Sequence, residues 1–101
     1  MIARIWHGYT NLENADKYEH MLKSEIFSGI EERNIQGFED IQLLRRQIKN
    51  EVEFITIMWF DSLDSVKQFA GADYEKAVVY PDAIPLLIRY DERSQHYEVK
   101  S

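Results

Sequence analysis

Two stretches of this chain are apolar on both alternating faces, and this restricts the fold more than any other feature. In "VEFITIMWF", Val52, Phe54, Thr56, Met58 and Phe60 share one face of an extended strand, while Ile55, Ile57 and Trp59 share the other. In Ile2 to Tyr9, Ile2 and Trp6 share one face, and Ala3, Ile5 and Tyr9 the other. A strand with one wet face alternates cleanly between polar and apolar. Strands dry on both faces belong at the centre of a sheet that is covered twice.

The segments around them supply the other elements. Asn11 or Asn14 can accept from free N–H groups at a helix start. Ala15, Tyr18, Met21 or Leu22, Glu25 or Ile26, and Ile30 then recur at helical spacing. They predict a helix over about Leu12 to Arg33, bending near Gly29 because glycine weakens helix interiors. Asn34 to Gly37 reads as a turn, Phe38 to Ile48 as a second strand, and Lys49-Asn50-Glu51 as a hairpin connection. Asp61 and Ser62 are the first of several cap candidates for a helical stripe of Leu63, Val66, Phe69 and Ala70. Gly71 interrupts that stripe, and Asp73 to Val78 reads as a further helical turn or two, ended at Tyr80-Pro81. "IPLLIRY" fits a short strand or irregular structure, and Gln95 to Lys100 a last strand.

The order is β-α-β-β-α-β. It implies one α+β domain over residues 1–101, of the ferredoxin-like split type with an antiparallel sheet. In that plan strands one and three are central, as their two dry faces require, and strand four lies on the other side of strand one. Two helices cover one sheet face only. The simplest cover for the second apolar face is the same face of a second copy, so a homodimer is expected.

Composition narrows the partners. With 18 acidic and 12 basic residues the net charge is −6, which opposes binding to phosphate backbones. The short cluster Arg45-Arg46-Gln47-Ile48-Lys49 reads as strand-end charge facing water, with one arginine of the pair free to point inward. The absence of cysteine excludes disulfides, thiolate metal sites and cysteine nucleophiles, and fits a reducing compartment. No apolar run approaches the roughly 20 residues of a membrane span, and the N-terminus does not read as a signal peptide. These features lead to an expectation of a soluble cytoplasmic protein without nucleic-acid or membrane partners.

His7, His20 and His96 lack the spacing of a metal-ligand set, and the four isolated glycines form no phosphate loop, so neither metal nor cofactor is expected. His7, on a central strand, can act as a base near neutral pH or orient a phenolic group. His96 lies on the strand expected beside it. The rings of Trp6 and Trp59 can stack on a planar molecule, and the hydroxyls of Tyr74 and Tyr80 can hydrogen-bond one. Strand alternation sends Trp6 and His7 to opposite faces, so only one of them can reach a pocket beneath the helices.

The runs "MIARIWHG", "EVEFITIMWFDSLDSVKQFAG", "YEKAVVYPD" and "HYEV" resemble the antibiotic biosynthesis monooxygenase (ABM) domains of the dimeric α+β barrel superfamily, over nearly the whole chain. The resemblance implies two sheets packed into a barrel, with a pocket in each subunit between sheet and helices. It implies oxidation of a small aromatic or quinol-type substrate by molecular oxygen with no cofactor. His7 would then be the catalytic base, and Trp6, Trp59, Phe69, Tyr74, Tyr80 and His96 would contact the substrate. The alternative is a non-catalytic, ligand-binding or stress-associated homodimer of the same fold. Haem-degrading members of the superfamily use an Asn–Trp–His arrangement. Here those positions fall at the Trp6-His7 region, Phe69 and Val79-Tyr80, so haem degradation is not expected.

Overall fold

The computed structural model describes residues 1–101. Strand β1 (Ile2–Asn11) pairs antiparallel with β3 (Glu51–Phe60) along its whole length, from Ile2 opposite Phe60 to Asn11 opposite Glu51. Strand β2 (Phe38–Ile48) folds back onto the other edge of β3 through the two-residue connection Lys49-Asn50. On the far side of β1 the last strand comes in two pieces. Strand β4 (Leu87–Tyr90) pairs with Gly8 to Thr10, and β5 (Gln95–Glu98) pairs with Ile2 to Ile5. The sheet order is β2-β3-β1, with β4 and β5 together forming the edge beside β1. The two strands that read as dry on both faces are the central ones, and the fold is the ferredoxin-like α+β plan.

One helical rod crosses the sheet in three parts: α1 (Ala15–Met21), a π-helical turn (Leu22–Ile26) and α2 (Phe27–Glu32). It starts later than the sequence reading placed it, because the Asn11 side chain accepts from the Asn14 N–H at 2.8 Å and holds Leu12 to Asn14 as a turn. The irregularity lies not at Gly29 but in the π turn, where the Ser24 hydroxyl donates to the His20 carbonyl at 2.6 Å. Serine bonding back onto the preceding turn competes with the regular ladder. Helix α3 (Leu63–Ala70) is capped by Ser62, whose side chain accepts from the Ser65 N–H, and it stops at Gly71 with φ 93°.

The expected helical turn at Asp73 to Val78 does not form. The backbone there pairs sideways instead: Ala77 N–H donates to the Glu92 carbonyl, Ser94 N–H to the Glu75 carbonyl, and Lys76 bridges Arg93. Those bonds take groups a helix would need, so the chain runs irregularly until the short 3₁₀ turn Ile84–Leu86.

Packing follows strand alternation. Two apolar clusters lie between sheet and helices. One holds Ala15, Tyr18, Leu22, Val52, Phe54, Ala83 and Leu86; the other holds Ile30, Met58, Phe60, Val66 and Phe69. The opposite sheet face carries Ile5, Ile55, Ile57 and Trp59 with no helix over it, and Leu44 and Tyr97 are exposed. No helix is long and apolar enough to cross a membrane.

Candidate functional site

A pocket opens where the two apolar clusters fail to meet. The row Val52, Phe54, Thr56, Met58, Phe60 points under the helices, and Thr56 is its smallest member. The space over Thr56 is bounded by Trp6 on the sheet, Tyr18, Leu22, Ile26 and Ile30 on the helical rod, and Phe69 on α3. The irregular segment Val78 to Tyr80 adds a further wall. About 510 Å³ of atom-free space results, part of it open to solvent, and 13 of its 16 lining residues are hydrophobic. Ile26 and Tyr80 also border a polar surface groove with Glu25, Arg33 and Asp82, which sets the mouth between the π turn and the Tyr80 segment.

Trp6 is fixed in this wall. Its indole N–H donates to the Asp91 carbonyl at 2.8 Å, and its ring lies across Gly8. A Cβ at position 8 would stand 2.6 Å from the indole ring, so glycine is what lets the indole lie flat against the strand. Phe69 is held between two guanidinium groups, with Arg4 5.4 Å and Arg33 5.2 Å from its ring centre. Burial pushes the phenols of Tyr18 and Tyr80 upward, so both are neutral hydroxyls at physiological pH.

Of the residues singled out in the sequence, Trp6, Phe69 and Tyr80 line the pocket and four do not. His7 faces the opposite side of β1, as alternation demands once Trp6 faces the helices. There its Nδ1 pairs with the Asp91 carboxylate at 2.8 Å, and the same carboxylate accepts from the His7 backbone N–H at 3.1 Å. Placing His7 in the pocket as its base is therefore corrected by the pleat of the strand. Trp59 lies on that same outer face, donating to the Gln42 side chain at 3.2 Å. His96 is on the pocket side of β5, but it sits opposite Arg4 rather than His7, so the two histidines cannot act together. Tyr74 packs edge-on against His96, with ring centres 5.1 Å apart; both lie behind Arg4, outside the lining.

Arg4 is the residue the sequence reading missed. It is 3% exposed and lines the pocket. Its Nη1 donates to the Tyr74 carbonyl and to His96 Nε2 at 3.0 Å, and its Nη2 donates to the Lys76 carbonyl at 3.2 Å. Burial lowers its pKa to about 10, so it remains charged at neutral pH. An arginine can only donate, so His96 must accept at Nε2 and carry its proton on Nδ1. That nitrogen is buried without a partner. Arg45 and Arg46, the basic pair considered for an inward role, are spent elsewhere. Arg45 holds Asp16 and Glu19 on the helix, and Arg46 holds Glu53 on the outer face.

Burial, and then the Arg4 charge, hold the His96 imidazole below its ordinary 6.5. As pH falls below about 6.5 the unfolded chain takes up this proton before the folded one does. Stability is then lost progressively until the folded imidazole protonates too. Urea midpoints measured across the acid range are expected to fall through this window in the wild type, and less steeply in His96→Gln, which keeps an acceptor for Arg4.

No family model matches the chain, and no curated protein is similar to it in sequence. Among solved structures, the chain is similar to a putative antibiotic biosynthesis monooxygenase from Bacillus cereus. The TM-score is 0.68 at 16% identity, over 99% of this chain and 93% of that one. The chain has the ABM-like ferredoxin-type α+β fold.

Proposed function

We propose that the pocket binds a flat, apolar small molecule, and that the chain lets molecular oxygen oxidise that molecule without metal or prosthetic group. The observation that carries this is the aromatic-walled cavity of Trp6, Phe69 and Tyr80 beneath the helices. The monooxygenase description of the Bacillus cereus protein of the same fold supports the reaction class. For a phenolic substrate the step balances as phenol plus O₂ giving quinone plus water. One oxygen atom replaces the hydrogen on a ring carbon; the other leaves as water with that hydrogen and the phenolic proton.

The lining contains no carboxylate and no imidazole. The protein's part is then orientation and desolvation of a substrate that ionises readily by itself. In this reading His7 is a positioning residue. Its ring holds the Asp91 side chain, and the carbonyl of the same residue holds the Trp6 indole.

Oxygen uptake with 1-naphthol, in air and under argon, tests the reaction. Equimolar oxygen consumption and naphthoquinone formation above the rate with heat-inactivated protein is the expected result. Saturable binding with no oxygen uptake would instead select the non-catalytic binding reading, which the lack of a base in the lining favours.

We also propose that the uncovered sheet face packs against a second copy. Ile5, Ile55 and Ile57 lie on it, with Leu44 46% and Tyr97 55% exposed around them. Light scattering at micromolar concentration is expected to give twice the 12.0 kDa chain mass, and a monomer mass would end this part of the account.

A further inference from the structure

Arg4 is a buried cation with no counter-charge. Arg45, Arg46, Arg89 and Arg93 each hold a carboxylate within 3.3 Å. Arg4, at 3% exposure, has two carbonyls and a neutral imidazole as hydrogen-bond partners and the Phe69 ring against its guanidinium, and it pairs with no carboxylate. A guanidinium removed from water without an anion is costly, and dipoles compensate it in part. Its recorded bonds spend three of five N–H groups, leaving one on Nη2 and the one on Nε. The helix wall adds a second unspent donor. Tyr18 is 1% exposed and lines the cavity, and burial alone, with no hydrogen-bonding partner, accounts for its raised pKa.

A net positive charge at the edge of a mostly apolar cavity attracts an anion more strongly than the same charge at the surface. The cavity offers that anion two kinds of donor and a lining otherwise mostly apolar.

We propose that the ligand of this pocket is an anion: a flat apolar molecule bearing one ionised oxygen group, carboxylate or phenolate, seated against Arg4 with the Tyr18 hydroxyl as second donor. The inference rests on reading the cavity as a small-molecule site, and it adds the ligand's charge and the residue that selects it. It also supplies what the lining lacks for oxygen chemistry. A site that prefers the phenolate over the phenol lowers the substrate's own pKa, so no protein base need stand in the cavity.

Isothermal titration calorimetry with 2-naphthoate and with 2-naphthamide, matched in shape and differing in charge, tests the proposal without requiring turnover. Wild type at neutral pH is expected to bind the naphthoate at least roughly tenfold more tightly, the effect of a hydrogen bond to a charged group. Arg4→Gln is expected to erase that preference, and Arg4→Lys to keep part of it. An Arg4 that only props up the Tyr74–Lys76 segment would weaken both probes together and leave their ratio unchanged, which overturns the proposal. Should Arg4→Gln not fold, wild type alone still decides. Naphthoate affinity must fall as pH drops through that acid's own pKa while naphthamide affinity holds. Equal affinity of the two probes overturns the charge assignment and leaves the pocket reading standing. Binding of neither overturns both.

Discussion

Gly37→Ala is expected to lower the free energy of unfolding by about 3 kcal/mol, the sum of a left-handed backbone and a crowded one. Gly37 adopts φ 88°, where a side chain is strained whatever the space around it. Here there is no space either: an added Cβ would run into the Ser65 hydroxyl and the Asp61 carboxylate. Those two groups hydrogen-bond each other at 2.8 Å at the start of α3, and the Asp61 N–H donates to the Gly37 carbonyl at 2.8 Å. The turn before β2 and the cap of α3 are thus built against each other. For a chain of this length such a loss corresponds to roughly 12–24 °C in Tm, readable by calorimetry. Adding Ser65→Ala removes one of the colliding atoms, and the double variant is expected to recover part of the loss. A fall in Tm of only a degree or two would show that the turn relaxes freely.

Phe54→Ala is expected to cost more, about 4 kcal/mol. The side chain is fully buried and meets Tyr18 edge-on, with ring centres 4.9 Å apart. The Arg45 guanidinium covers it at 5.3 Å. Its removal takes away the support behind Tyr18, a wall of the pocket, so stability and ligand affinity should fall together. Chemical denaturation would show the first and naphthoate titration the second. Unchanged affinity in a clearly destabilised Phe54→Ala would mean that Tyr18 is held by the helix alone.

The fold was legible because its signals are long-range and redundant. Two strands apolar on both faces can sit in few places, and two helical stripes between four strands leave one common plan. What went wrong was local and had competing partners. Asp73 to Val78 has helix-compatible residues, yet its backbone pairs with Glu92 and Ser94, which no local pattern announces. The π turn comes from a single serine bonding back onto the helix, whereas Gly29 has nothing near it and sits in regular helix.

The site was half legible. Alternation alone separated Trp6 from His7, and the structure needed only to show which of them faces the helices. Arg4 was available to the same rule, since it shares the parity of Ile2 and Trp6 on a strand read as dry on both sides. A charged residue in the middle of such a strand is the anomaly to follow. Its match to His96 was out of reach, because the register of β5 is set after a break that the sequence does not mark.

That break has a consequence beyond the site. An uninterrupted last strand would give the sheet a long straight border, with a row of free backbone groups ready to template a foreign chain. Splitting it into β4 and β5 leaves two pieces of four residues each, and Glu75 and Ala77 bond across the gap to Ser94 and Glu92. Neither piece is long enough to recruit another strand stably, so the same four-residue interruption that brings Asp91 to Trp6 and His7 guards this border of the sheet against edge-to-edge pairing.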